Sequence, residues 1–185
     1  MPIPYIVLGI IIALILYFVF KYNSFISLLN RTKEAWADID IQLKRRYDLI
    51  PNLVNTVKGY ASHEKDAFEK VTEARAKAID AKSVAEKSEA DNVLSGTLKS
   101  LFVISEAYPE LKANTNFIQL QNELSDTENK IMAARRFYNS NVREFNTRIK
   151  VFPASIVASI FKFTEIELFE LDKDSEEKKP VEVKF

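Results

Sequence analysis

Apolar and polar positions alternate with a helical period along most of this chain, and the long exception comes first. Residues 1–20, MPIPYIVLGIIIALILYFVF, carry no charged side chain. Twenty helical residues rise about 30 Å, the thickness of a bilayer's hydrocarbon core. A run that is apolar on every face lacks the one-sided stripe of a surface helix, and it predicts a transmembrane helix. Its start has no basic residue, and no Ala-x-Ala pattern follows it, so a retained span is expected rather than a cleaved signal. Tyr5 at one end, with Tyr17 and Tyr22 at the other, suit interfacial aromatic belts.

Beyond the span the period is that of one-sided helices. Ile39, Leu43, Tyr47, Ile50, Leu53, Val54, Val57 and Tyr60 follow steps of three and four. Phe117, Leu124, Ile131, Tyr138 and Phe145 recur every seven residues. Leu120, Thr127, Ala134, Asn141 and Arg148 form a smaller, more polar column beside them, as in a coiled-coil or bundle seam. Pro51 predicts a helix stop or kink. Asp80–Asp91 reads as a polar turn region, Tyr108-Pro109 as a second break, and ANTN at 113–116 as a source of N-caps. The pattern predicts helices near 3–48, 51–80, 88–107 and 114–150.

Short connections make neighbouring helices antiparallel. The expected fold is all-α: an N-terminal transmembrane helix over 1–21, then an antiparallel up-and-down four-helix bundle over 22–163, its first helix continuous with the anchor. The fourth helix then returns to the lipid near Lys150, and Trp36 falls at the depth of Ala134–Tyr138. Val151–Phe163 is apolar, too short to span, and contains a short helix from Pro153. It either lies in the membrane interface or caps the bundle's open end. Residues 164–185 begin with alternating charge and bulk, as a short strand or an extended segment, and are expected to be an acidic, mobile tail.

Composition narrows the function classes. The 185 residues include only three glycines, which fits few, long elements. With no cysteine there is no disulfide, thiolate metal site or cysteine nucleophile. Net charge is zero and no basic block occurs, so no nucleic-acid footprint is expected. Lys21, Arg31, Lys33, Lys44, Arg45 and Arg46 follow the span and no basic residue precedes it. The positive-inside rule then puts the N-terminus outside and the bundle in the cytoplasm.

Candidate chemistry is sparse. Arg45, Arg46, Tyr47 and Asp48 sit before Pro51, with Asn52 as a cap for the second helix. Arg45 or Arg46 can pair with Glu123, Asp126 or Glu128 and fix helix register, or form a pocket for a phosphate or a partner's carboxylate. Arg135, Arg136, Asn139 and Asn141 ring the last long helix, with Asn141 on its seam. These nine are candidates for interaction or register, not for catalysis. His63, the one histidine, lacks the second histidine of H-E-x-x-H, and reads as a solvated helix residue. Asp38 and Asp40 point to different faces. No catalytic residue, metal site or cofactor is predicted.

Two blocks, YNSFISLLNRTKEAWADIDIQLKRRYDLIPNLVNTVKGYASHE and ENKIMAARRFYNSNVREFNTRIKVFP, resemble the bacterial LemA family. The resemblance runs from the anchor to Phe163. It implies a single-pass, membrane-anchored helical bundle in a bacterial cell membrane, and it supplies no reaction. The expected function is a non-enzymatic scaffold or adaptor whose partners are the lipid bilayer and proteins of unknown identity. Its oligomeric state is left open. The alternatives are an accessory subunit regulating a membrane protease or other envelope enzyme, a hydrolase with an unrecognised carboxylate site, and lipid remodelling through Val151–Phe163.

Overall fold

The computed structural model describes residues 3–169. It is all-helical, and no strand occurs among the described residues. The helices are α1 (Ile3–Lys58), α2 (Lys65–Asp80), α3 (Val84–Ser105), the single turn α4 (Pro109–Lys112), α5 (Thr115–Lys150) and α6 (Ala154–Ile160). The start of α1 is long and apolar enough to cross a membrane, and none of that stretch is buried.

The expected break at Pro51 does not occur: α1 continues through it to Lys58. A proline inside a helix removes one N–H, which orphans the carbonyl four residues earlier. Here that carbonyl belongs to Tyr47, and Arg75 Nε of α2 donates to it at 2.7 Å. The break falls instead at 59–64, where Ala61 N–H bonds back to Val57 O at 2.9 Å. Asn52 therefore caps nothing. It lies inside α1, where its carbonyl accepts from Thr56 Oγ1. Asp48 is likewise an exposed mid-helix residue, and His63 is exposed in the turn rather than in a helix.

The region 80–91, expected to be a turn, is mostly helix. Ser83 Oγ accepts from Glu86 N at 3.1 Å, and Glu86 Oε2 accepts from Ser83 N at 3.1 Å. This reciprocal pair satisfies two otherwise orphaned amides and starts α3 at Val84. Asn114 starts α5 by accepting Phe117 N through its side chain at 3.0 Å.

The chain divides into two compact units; the divisions after Asp38 and Ala133 fall inside α1 and α5, and the one after Leu168 falls in the non-helical segment beyond α6. The first holds residues up to Asp38 with Ala134–Leu168. Its core is Phe25, Leu28, Phe145, Ile149, Ala154, Val157 and Ala158, flanked by Tyr17, Phe18, Tyr22 and Phe163. Rings organise it: Phe163 lies 5.2 Å from Phe25 and 6.2 Å from Phe145, and Trp36 lies 5.4 Å from Tyr138. Arg148 Nη1 reaches Ser24 Oγ at 3.0 Å, which sets the end of α5 beside the part of α1 that follows the apolar run.

The residues after α6, expected to belong to a mobile tail, are fastened as far as 167. Asn146 donates to Ile166 O and accepts from Ile166 N, both at 2.9 Å, and Tyr138 Oη donates to Glu167 O at 2.9 Å. One asparagine thus satisfies both backbone groups of an extended residue, as a neighbouring strand would. Residues 170–185, the rest of that expected tail, lie outside the described residues.

The second unit is built on Ile39–Ala133. Its apolar interior comes from Ile39, Leu43, Ile50, Leu53 and Val57 of α1, Phe68, Val71, Ala74 and Ala78 of α2, Leu94, Leu98 and Leu101 of α3, and Phe117, Leu124 and Ile131 of α5. Asn114 Nδ2 meets Tyr60 Oη at 2.9 Å, and Tyr108 Oη meets Glu64 at 3.4 Å, so the α1–α2 turn is tied to the α3–α5 connection.

Candidate functional site

The second unit encloses charge. Arg46 follows Ile39 by seven residues and precedes Ile50 by four, so it shares the buried stripe of α1 and is 3% exposed. Asp91 takes the equivalent place on α3, three residues before Leu94, and is 2% exposed. Arg46 Nη1 lies 2.9 Å from Asp91 Oδ1 and 2.9 Å from Glu128 Oε2 of α5, and Nη2 donates to Ser95 Oγ at 2.8 Å. One guanidinium joins three helices, because a planar fork of donors can serve several acceptors at once.

A partly exposed ring of pairs surrounds it. Arg45 reaches Asp126 at 3.4 Å, Asp126 also meets Lys130 at 2.8 Å, and Lys87 contacts Asp40. The Lys130 hydrogen bond holds the Asp126 carboxyl below the usual range. Tyr47 is buried beside the cluster, and its hydroxyl has no hydrogen-bond partner among the described residues. Burial first, then the Asp91 charge, push its phenol well above the ordinary value, while Arg46 opposes them.

Of the residues singled out from sequence, Arg45 and Arg46 meet carboxylates, Tyr47 is buried next to them, and Asp48 and Asn52 stay on the surface. In the first unit Arg135 and Asn141 are buried, Asn139 is half-buried and Arg136 is exposed. Asn141 turns back on its own helix and donates to Phe137 O at 3.0 Å. Asp91, Ser95 and Arg75 were not anticipated. The sequence does carry a signal for Asp91: a carboxylate on an apolar stripe needs an interior partner.

The chemistry of this arrangement is closure. Asp91 and Glu128 both direct oxygens to one arginine, and Tyr47 is held as a neutral phenol, so no paired nucleophile and base emerges. Among the described residues, no group of three His, Asp or Glu side chains could hold a metal ion. Grooves of about 500 Å³ lie on α5 from Thr115 to Asp126, on α2 beside Lys58, and between α2 and α3 along Ala74, Asp80, Glu86 and Val93.

The LemA family model matches residues 35–185. Protein LemA of Metamycoplasma hominis is 31% identical, with 85% of this chain and 77% of that protein covered. The chain belongs to the LemA family. It is also similar to the magnetosome protein MamQ of Magnetospirillum gryphiswaldense, at 21% identity over 86% of this chain and 68% of the relative. Magnetosome protein MamQ 2 of Paramagnetospirillum magneticum is 22% identical over the same shares. None of these names denotes an enzyme. To this family membership the structure adds the start of α1, a helix long and apolar enough to cross a membrane.

Proposed function

We propose that this LemA-family chain is a single-pass membrane scaffold or adaptor, with its N-terminus outside and its bundle in the cytoplasm, and that it presents helix surfaces to partner proteins. The observation that carries this reading is the ion cluster of the second unit: its buried carboxylate is spent on Arg46, while the grooves between and beside helices remain open. The α2–α3 groove mixes Lys77, Asp80, Glu86 and Glu89 with Ala90 and Val93, a composition suited to a polar-rimmed protein contact.

The bundle in this reading is antiparallel and up-and-down, formed by α1, α2, α3 and α5. In the second unit, contact order supports it. From Arg45 of α1 to Tyr60 in the turn just past its end, the partners run from Asp126 of α5 to Asn114 just before its start, backwards. The order Asp40, Arg46 meets Lys87, Asp91 of α3, running forwards. Tyr47 and Lys58 meet Arg75 and Phe68 of α2, backwards again. In the first unit, Phe25 and Trp36 meet Phe145 and Tyr138 of α5, also backwards.

Site-specific photocrosslinking in intact cells tests the adaptor reading. A photoreactive residue at Val93 is expected to give a discrete protein adduct. Adducts with lipid or with this chain alone would overturn it, and a recurring membrane protease would favour the accessory-subunit role. Because the chain has no cysteine, a single cysteine at Ile79 reports topology. Labelling by an impermeant maleimide in intact spheroplasts would overturn the cytoplasmic placement.

A further inference from the structure

The helix after Pro153 has two apolar faces and only one is buried. Ala154, Val157 and Ala158 pack on Phe25, Leu28, Phe145 and Ile149. The outer stripe is Phe152, Ile156 and Ile160 at steps of four, and these are 81%, 47% and 58% exposed. A helix that merely closed a core against water would carry polar residues there.

Its place in the fold says what covers it. Phe161 lies 4.6 Å from the ring of Tyr22, two residues beyond the uncharged run. Tyr17 and Phe18, inside the last turn of that run, pack against the same cluster as α6. When the start of α1 is in a bilayer, the outer stripe therefore lies within about one helical turn of the hydrocarbon boundary. A backbone feature points the same way. Lys162 has φ 56°, and the bonds Lys162 N to Ser159 O and Phe163 N to Ala158 O make it a left-handed helix cap. Glycine takes that position without side-chain cost. Lysine here is exposed and adds a positive charge two residues after Ile160, and a cation on an interfacial segment favours anionic lipid.

We propose that α6 and its flanks, Val151–Phe163, are a second membrane contact that lies in the interface of the same bilayer and prefers anionic phospholipid. This rests on α1 spanning that bilayer. The full chain would be reconstituted into phosphatidylcholine vesicles with or without phosphatidylglycerol, carrying a single cysteine-linked fluorophore at Leu14, Ile156 or Ile79, and quenched by bromine on the acyl chains. The proposal expects quenching at Ile156 at least about twofold above that at Ile79, stronger with phosphatidylglycerol. Quenching at Leu14 without quenching at Ile156 overturns this proposal and leaves the anchor standing. No quenching at Leu14 overturns both. An Ile156 probe shielded from bromolipid and from aqueous iodide alike means a protein covers the stripe, and overturns the lipid assignment. Lys162→Gly is expected to keep or raise the melting temperature while abolishing the phosphatidylglycerol dependence. An unchanged dependence removes the cation from the proposal.

Discussion

Phe25, Phe145 and Phe163 close one unit of this chain with rings, whereas Arg46, Asp91 and Glu128 close the other with charges. Apolar contacts are non-directional, and a helix can slide against them with partial compensation. A guanidinium held by two carboxylates and a hydroxyl cannot slide: one helical turn, about 5.4 Å, would separate it from them all. The first unit is therefore specified by shape and volume, the second by register. A core of the first kind suits the unit that holds the candidate span and the exposed stripe of α6.

Truncation at each centre gives the largest effects and the sharpest contrast. Phe145→Ala should cost about 3–5 kcal/mol, since it opens a ring-sized cavity. Arg46→Met should cost about 3–5 kcal/mol, since it strands a buried carboxylate. Both are read by thermal or denaturant unfolding in detergent. The contrast lies in rescue. Adding Asp91→Leu to Arg46→Met should recover most of the loss, because the uncompensated charge is gone, while no polar substitution rescues Phe145→Ala. Failure of Asp91→Leu to rescue would mean that the cluster acts by packing, like the ring core.

A smaller effect isolates the proline. Arg75→Ala should cost about 1–3 kcal/mol by leaving the Tyr47 carbonyl without its donor. In a Pro51→Ala background, the amide of residue 51 can serve that carbonyl, so Arg75→Ala should cost much less. Additive losses in the double-mutant cycle would remove Arg75 from the account of how α1 passes Pro51.

The capping pair comes next. Ser83→Ala should cost about 1 kcal/mol. Hydrogen bonds from the Lys82 and Ser83 amides hold the Glu86 carboxyl below its usual range. A lowered folded value means that this contribution is present above the ordinary carboxylate range, about 4.3, and fades as pH falls through the folded value. Glu86→Gln should flatten that acid slope. An unchanged slope would show that the pair does not set the start of α3.

Those residues also mark what could be read from sequence. The seven-residue column Phe117, Leu124, Ile131, Tyr138 and Phe145 is buried throughout, and Trp36 meets Tyr138 as depth counting along two long helices requires. The same counting paired Arg45 and Arg46 with Asp126 and Glu128. Pro51 misled because its remedy, Arg75, comes from another helix and is invisible to local pattern. Ser83-Val84-Ala85-Glu86 was legible as a capping box, but its polar surroundings read as a turn, and Asp91 lost its stripe with it. The fastening of Ile166 by Asn146 is a contact between distant residues, which periodicity does not encode.

The smallest effect asks whether every polar group near the cluster belongs to it. Tyr47 is buried with an unpartnered hydroxyl, so removing that oxygen exposes no orphan and relieves a desolvated one. Tyr47→Phe should change stability at neutral pH by less than about 1 kcal/mol, in the stabilising direction. The difference should appear in alkali. A phenol raised in the folded state and ordinary in the unfolded state keeps its full contribution below about pH 10, and stability then declines as the unfolded chain ionises. Tyr138 is raised too, through burial first and the Glu167 charge second, so the slope should shrink in Tyr47→Phe without vanishing. A loss at neutral pH like that of Arg46→Met would place the Tyr47 hydroxyl inside the ion network, bridged to it by water. The register-setting cluster would then extend along α1 to the carbonyl that Arg75 holds.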